Sequence, residues 1–232
     1  MRAAWSILGS LLSLGLAGCG STEKLTPVGT VIDPRLLLAP YVGMPDGVAL
    51  RFPSLTGLDP QGNALSGSLT IIPDAQPTVL DGTVTCRTSV TRTLLTRGGL
   101  TLSDSMSAKY FDTSDGRFFR LLHISGMGTT TYSRVSDDHF PQSDIKVGDS
   151  GDLGLLSGDD GTTLTVSWDV EPDDDGGSIF AIREMYANLT AGMMMSEDQF
   201  FHLDKDGTPT AFAFRMNAPD GTYTLAGDRE RP

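Results

Sequence analysis

Apolar and polar residues alternate with a period of two along most of the chain after residue 45. The clearest run is 163–170, in which Leu164, Val166, Trp168 and Val170 alternate with polar residues. Successive side chains of a strand point to opposite faces, so the pattern predicts a strand with one buried and one solvated face. Further strands are predicted in the runs 48–52, 83–96, 118–124, 178–190, 212–216 and 223–225.

Asp-Gly pairs separate these runs. Asp and Gly tolerate the positive φ angles of tight hairpin turns, so the pairs predict β-hairpins. They occur at residues 46–47, 81–82, 115–116, 160–161, 175–176, 206–207 and 220–221. Only the stretch 196–199 could begin a short helical turn. The predicted fold class is therefore all-β: an antiparallel, hairpin-built sandwich or a curved, partly closed barrel, with at most short helical turns.

Four stretches depart from simple alternation. The runs 118–124 and 178–190 are denser in apolar residues and predict central strands covered on both faces. The threonine-rich run 83–96 predicts one or two strands. The acidic, glycine-rich stretch 144–161 predicts a flexible loop or a boundary between two sub-sheets.

Residues 1–18 have the organisation of a secretory signal. Arg2 and the terminal amine give a positive start, and residues 3–16 are mainly apolar. This apolar run of about 14 residues is shorter than the ~20 that a permanent membrane-spanning helix needs. It ends in Leu16-Ala17-Gly18-Cys19, an aliphatic residue followed by two small residues and a cysteine.

The tetrapeptide Leu16-Ala17-Gly18-Cys19 resembles the lipobox of bacterial lipoproteins, a resemblance that covers only the signal region. It implies that Cys19 receives a diacylglyceryl group, that the chain is cut between Gly18 and Cys19, and that the new amine is acylated. A thiolate is easily alkylated near neutral pH, and two or three acyl chains give stable anchoring. The alternatives are an ordinary secreted protein and a permanent N-terminal transmembrane helix.

The resemblance also implies a location, and together with the prolines after Cys19 and the alternation after residue 45 it gives a domain organisation. The protein is expected in the bacterial cell envelope, and the lack of Asp after Cys19 favours the outer over the inner membrane in a Gram-negative cell. Residues 1–18 form the signal peptide, 19–44 a lipidated N-terminus with a proline-containing tether, and 45–232 one all-β domain. The apolar residues within 31–38 predict that the second half of the tether packs on the domain.

The charge balance limits the partners of this domain. The chain has 29 acidic and 17 basic residues, a net charge of −12, and loss of Arg2 with the signal makes it about −13. Such a charge argues against nucleic acid and against electrostatic docking on an anionic leaflet. Membrane contact is therefore expected only through lipid on Cys19. With Cys19 acylated, Cys86 has no intrachain disulfide partner and is interpreted as a small buried hydrophobe, with a reactive thiol as the alternative.

Three groups of residues suggest chemistry, and each also has a structural interpretation. The run 148–152 is similar to the Gly-Asp-Ser-Gly loop of chymotrypsin-like proteases, but the histidines (His123, His139 and His202) lie at unsuitable positions and Asp152 would oppose an oxyanion. The aspartates at 204–206, 173–175 and 159–160 suggest calcium, but no complete calcium-loop pattern follows. Met193, Met194 and Met195 with His202 offer soft copper ligands, although consecutive residues of a strand point alternately.

The predicted function is therefore a membrane-anchored envelope lipoprotein, interpreted as non-enzymatic. Its β-domain is expected to bind an unknown envelope protein or an apolar or lipid ligand, or to have a structural role. The alternatives are an envelope hydrolase and a calcium-dependent surface module. Cys19 is the one assigned site residue, as the lipidation site; no catalytic, cofactor or metal-binding residue is assigned.

Overall fold

The computed structural model describes residues 49–73, 77–95, 100–112, 118–125, 128–136 and 145–230. These residues form one 13-stranded antiparallel sheet, and no helix occurs among them. The predicted all-β, antiparallel fold class is confirmed. The strands are β1 (Leu50–Leu58), β2 (Ala64–Pro73), β3 (Thr78–Leu80), β4 (Thr83–Leu95), β5 (Thr101–Asp112), β6 (Phe118–Ser125), β7 (Gly128–Arg134), β8 (Ser150–Gly158), β9 (Thr163–Pro172), β10 (Ser178–Asn188), β11 (Met193–Leu203), β12 (Pro209–Ala218) and β13 (Gly221–Asp228).

Most strands pair with their neighbours in sequence, as hairpins do. Two pairings join distant parts of the chain: β1 pairs with β13, with Gly57 opposite Leu225, and β2 pairs with β4, with Ile71 opposite Val90. The β2–β4 pairing joins the first strand of the sheet order to the last strand but one. The sheet is therefore curved around an interior, and alternate side chains of each strand face that interior.

The N-terminal part of the chain joins the curved sheet at one of its two ends. The proximal end is the end at which β1 begins, and it carries the turns 173–177 and 204–208. The distal end carries the turns 59–63, 159–162, 189–192 and 219–220. The chain therefore reaches the sheet at the proximal end, and the distal turns lie a full strand length away.

The Asp-Gly pairs that the structure describes lie where hairpins were predicted. Five of the seven connect consecutive strands, and the pairs at 46–47 and 115–116 lie outside the described residues. Asp81 and Gly82 both have positive φ, 50° and 81°, as a tight two-residue turn between β3 and β4 requires. In the other four pairs the positive φ is confined to the glycine.

Aromatic side chains fill the proximal part of the interior. Phe52 of β1 lies with its ring centroid 6.4 Å from Phe201 and 5.3 Å from Phe212, and the last two rings are 5.1 Å apart. Trp168 stacks on Phe180 at 6.0 Å. The alternation predicted for 163–170 is confirmed, because Leu164, Val166, Trp168 and Val170 are all buried.

Several local predictions were wrong. The stretch 196–199 is not a helical turn but lies within β11, where Glu197, Asp198 and Gln199 are buried. The stretch 144–161 is not only a loop, since it contains β8, which pairs with β7 and β9. β10 is paired on both sides but not covered on both faces, since Met185 is half exposed on its outer face. By contrast, the run 83–96, for which one or two strands were predicted, forms one strand, β4, so that prediction is confirmed.

No helix that could span a bilayer is found in the part of the chain that the structure describes. Residues 1–48, with Cys19 and the predicted tether, lie outside that part, as does the side chain of Cys86. The structure does not test their predicted roles, which therefore stay predictions.

Candidate functional site

A group of polar side chains lies in the interior, next to the aromatic core. It consists of Lys109 on β5, Glu184 on β10, and Glu197 and Gln199 on β11, each no more than 8% exposed. These positions belong to the inward-facing set of their strands, which otherwise contains apolar residues such as Phe180. Burial of charged and amide groups is costly unless their hydrogen bonds are satisfied, so their partners define the site.

An ion pair crosses the interior. Lys109 Nζ donates to Glu184 Oε1 at 2.8 Å, and the side chains of both residues are at most 10% exposed. The pair joins β5 to β10, which are not neighbours in the sheet. The Tyr186 hydroxyl donates to the second oxygen, Glu184 Oε2, at 2.7 Å. The carboxylate is thus bonded through both oxygens, which offsets part of its desolvation.

A second buried carboxylate lies beside the first. Glu197 is directly opposite Glu184 in the β10–β11 register, so the two side chains share the inner face. Gln199 Nε2 donates to Glu197 Oε1 at 2.9 Å, whereas Glu184 takes its hydrogen bonds from Lys109 and Tyr186. Separate donors therefore hold the two adjacent carboxylates.

Ser107 and His123 form the third part of the interior group. Ser107 Oγ lies 3.0 Å from His123 Nδ1, and the two residues are direct partners on β5 and β6. The contact resembles the nucleophile and base of a hydrolase. However, β5 pairs with β4 and β6 on both sides of Ser107, so the strand ladders use the nearby backbone donors that an oxyanion hole needs. The geometry is that of a local cross-strand hydrogen bond.

The cavity among these side chains is small. Its volume is about 30 Å³, and its lining includes Ser107, Lys109, His123, Glu184 and Gln199. This space accommodates one or two water molecules. Ligand pockets typically measure about 300–1,000 Å³, so this cavity is too small for an acyl chain or a drug-sized substrate.

Tyr132 extends the polar group toward the distal end. Its ring packs edge-on against Tyr186 with centroids 6.1 Å apart, and its residue is 4% exposed. Burial, together with the negative charge of Asp160, raises the pKa of Tyr132 to about 12. The phenol is therefore neutral throughout the physiological range.

Because the pKa of Tyr132 is higher in the folded state than the ~10 of an unfolded chain, folding should weaken at high pH. The contribution of the neutral phenol is complete below about pH 10 and is lost as the pH rises through about 12. We expect the phenolate absorbance difference between wild type and Tyr132→Phe to rise near pH 12. A rise near pH 10 with an unchanged circular dichroism spectrum would contradict this assignment.

The outer face of β9–β12 carries a separate network of charges. Arg183 donates to both carboxylate oxygens of Asp169 at 2.9 and 3.2 Å, and Arg215 donates to Asp198 at 2.6 and 2.9 Å. The two guanidinium carbons lie 5.8 and 5.7 Å from the ring centroid of Phe200. The hydrogen bonds with Asp169 raise the pKa of Arg183. Since these arginines already have carboxylate partners, the network is suited to joining strands rather than to binding an anion.

Among the described residues, no histidine is placed to complete a triad with the suggested protease loop. Asp149 accepts the backbone N–H of Lys146 at 2.9 Å and so closes the turn before β8. His123 is bonded to Ser107, and His202 Nδ1 lies 2.7 Å from Asp173 Oδ2, so neither histidine is placed on Ser150. His139 lies outside the described residues.

The suggested calcium ligands are engaged in their own turns. Asp204 Oδ1 accepts the backbone N–H groups of Asp206 and Thr208, each at 2.9 Å, and Asp175 Oδ1 accepts that of Gly177 at 3.0 Å. Asp160 behaves similarly: burial alone would raise its pKa, but hydrogen bonds from Thr162 and Thr130 lower it. Within the described ranges, no three His, Cys, Asp or Glu side chains are arranged to hold a metal ion.

The suggested copper ligands lie far apart. Met194 and His202 are eight residues apart on β11, which corresponds to about 26 Å of strand. Met195 packs against the core, whereas Met193 and Met194 are 37% and 64% exposed. The structure therefore leaves these two methionines on the surface of the distal end.

Sequence reasoning missed the interior polar group. Glu184 lies in the run 178–190, which was interpreted from its apolar residues, and Glu197 lies in the stretch interpreted as a helical turn. A detectable signal did exist, because Glu184 falls on the same parity as Phe180 and Ile182. A charged residue at an inward-facing position predicts a buried partner, although it does not identify that partner.

Comparisons with protein-family models, with curated proteins and with solved structures find no match for this chain.

Proposed function

We propose that this chain is a cell-envelope lipoprotein, anchored to the membrane by lipid on Cys19, with a non-enzymatic binding domain. The lipobox-like run Leu16-Ala17-Gly18-Cys19 supports the anchor. The cavity beside Lys109 and Glu184, within the part of the chain that the structure describes, supports the binding role: its volume of about 30 Å³ has no room for an apolar ligand, which favours binding on the outer surface. This second observation favours a protein partner over a carried lipid.

The position at which the chain joins the sheet gives the domain an orientation. β1 begins with Leu50 at the proximal end. An anchor at Cys19 therefore connects to the proximal end, and the distal turns form the end farther from the attachment point. Partners in the envelope would meet the distal end and the outer faces of the strands first.

The anchor is tested by replacing its cysteine. Cys19→Ser removes the thiol that carries the lipid, so we expect the chain to lose its mass increase at residue 19 and to leave the membrane fraction. Fractionation followed by intact-mass measurement provides both readings. Cys86→Ser is the matched control and should still fractionate with the membrane. A Cys19→Ser chain that matures and fractionates like the wild type would refute the anchor.

A hydrolase is the second candidate, and the 3.0 Å contact between Ser107 and His123 is the observation that favours it. A fluorophosphonate probe separates the two candidates. Labelling of Ser107 that is lost in His123→Ala would establish the hydrolase, whereas an unlabelled chain supports the binding domain.

A further inference from the structure

The hairpin of β10 and β11 exposes apolar side chains at the distal end. Met185 is 50% exposed, Leu189 89%, Met193 37% and Met194 64%. We refer to these four residues as the methionine patch. Large apolar residues that cluster on a surface commonly mark a binding site, whereas single exposed ones do not.

The strand register shows that these residues are neighbours. Met194 pairs with Ala187, and Met185 pairs with Ser196 on the same outer face, so the two methionines are diagonal neighbours across the hairpin. Leu189 lies in the connecting turn, and Met193 begins β11 opposite Asn188, on the parity of the inner face. Met185 and Met194 therefore share the outer face, whereas Leu189 and Met193 are exposed at the hairpin end.

Acidic turns lie at the same end of the sheet as the patch. The four distal turns that the structure describes contain Asp59, Asp159, Asp160 and Asp220 and neither lysine nor arginine. The turn 159–162 contacts the hairpin directly, since Asn188 Nδ2 donates to the Asp160 backbone oxygen at 3.3 Å. The distal end thus combines an apolar surface with negative charge.

We infer that the methionine patch binds a basic amphipathic segment of a partner protein. Methionine side chains adapt to varied apolar surfaces, and the aspartates attract lysines or arginines that flank an apolar face. A second copy of this chain would bring like charges together, and an anionic leaflet would be repelled. The inference rests on the proposed function, in which an anchor at the proximal end leaves the distal end accessible.

The test uses the mature, lipidated chain in nanodiscs of zwitterionic lipid, with empty nanodiscs as the blank. The probe is a synthetic amphipathic helix of leucine and lysine, about 18 residues long, and its counterpart carries glutamate at every lysine position. Calorimetry should detect binding of the lysine peptide, weakened by added salt, and no binding of the glutamate peptide. Equal binding of both peptides, or no binding of either, would overturn the inference.

Variants locate the binding surface. Combining Leu189→Lys with Met194→Lys should raise the dissociation constant of the lysine peptide about tenfold or more. The two substitutions remove two apolar contacts with the peptide and introduce positive charges that repel its lysines. Met106→Lys is the control, since Met106 is 48% exposed on β5, away from the hairpin. Unchanged affinity in the double variant, or equal loss in the control, refutes the patch as the site. Patch-dependent self-association or vesicle binding without peptide binding would assign a different occupant and also refute it.

The experiment distinguishes an incorrect methionine patch from an incorrect lipid anchor. Capture of the chain by the nanodisc reports on lipid at Cys19, whereas peptide affinity reports on the distal end. A chain that is not captured but binds the lysine peptide in free solution refutes the anchor alone. A captured chain that ignores the peptide refutes the patch alone.

Discussion

Lys109→Met is expected to lower the free energy of unfolding by about 3–5 kcal/mol, because removal of one partner of a buried ion pair leaves the other charge desolvated. The Glu184 carboxylate would remain 4% exposed without the ammonium group that lies 2.8 Å away in the wild type. Urea unfolding followed by circular dichroism gives the free energy. Lys205→Met, at an exposed turn lysine, is the control and should change stability by no more than about 0.5 kcal/mol.

A double variant distinguishes the loss of the ion pair from the loss of side-chain packing. Combining Lys109→Met with Glu184→Gln removes both charges but keeps an oxygen that can accept the Tyr186 hydroxyl. Stability should recover to within about 1–2 kcal/mol of the wild type, because replacement of a whole buried ion pair is often nearly neutral. A double variant whose loss equals the sum of the two single losses would show that the two residues are not coupled.

The sequence predicted local features of the fold correctly because those features depend on local physics. Leu164, Val166 and Trp168 alternate with polar residues, and an alternating segment can bury its apolar set only as a strand. Asp81 and Gly82 adopt positive φ angles that few other residues tolerate, so the hairpin between β3 and β4 could be predicted from two residues.

The candidate site could not be predicted in the same way because its contacts are distant in sequence. Lys109 and Glu184 are 75 residues apart, and Ser107 and His123 are 16 apart. Only the order in which the strands pair brings β5 opposite β10. Without that order, Glu197 in a polar stretch is indistinguishable from a solvated surface residue, which explains the incorrect helical turn at 196–199.

The same limit applies to the surface. Consecutive methionines at 193–195 predicted that at most two side chains share a face, and the structure places Met195 against the core with Met194 exposed. Their proximity to the acidic turn 159–162 depends on the β9–β10 pairing, for which the Asp-Gly pair at 175–176 predicts a hairpin but not the register. The electrostatic character of the distal end therefore depends on a register that the sequence does not specify.

Phe201→Ala should destabilise the domain by about 3–5 kcal/mol, because it removes a buried ring and leaves a cavity in a core that is close-packed. Phe201 is 1% exposed and contacts both Phe52 and Phe212, so its loss loosens the packing between β1, β11 and β12. Urea unfolding of the variant measures the cost. Phe201→Leu keeps most of the buried volume and should lose less stability than Phe201→Ala.

Phe200→Ala is the matched control, since Phe200 precedes Phe201 on β11 and faces outward. Its ring contacts the guanidinium groups of Arg183 and Arg215, so its removal should cost about 1 kcal/mol, the order of exposed cation–π contacts. The expected asymmetry between two adjacent phenylalanines follows from the period of two that the sequence shows along most of its length. Equal losses for Phe200→Ala and Phe201→Ala would mean that β11 does not separate a core face from a solvent face. The assignment of Glu197 and Gln199 to the interior would then fail as well, because they share the parity of Phe201.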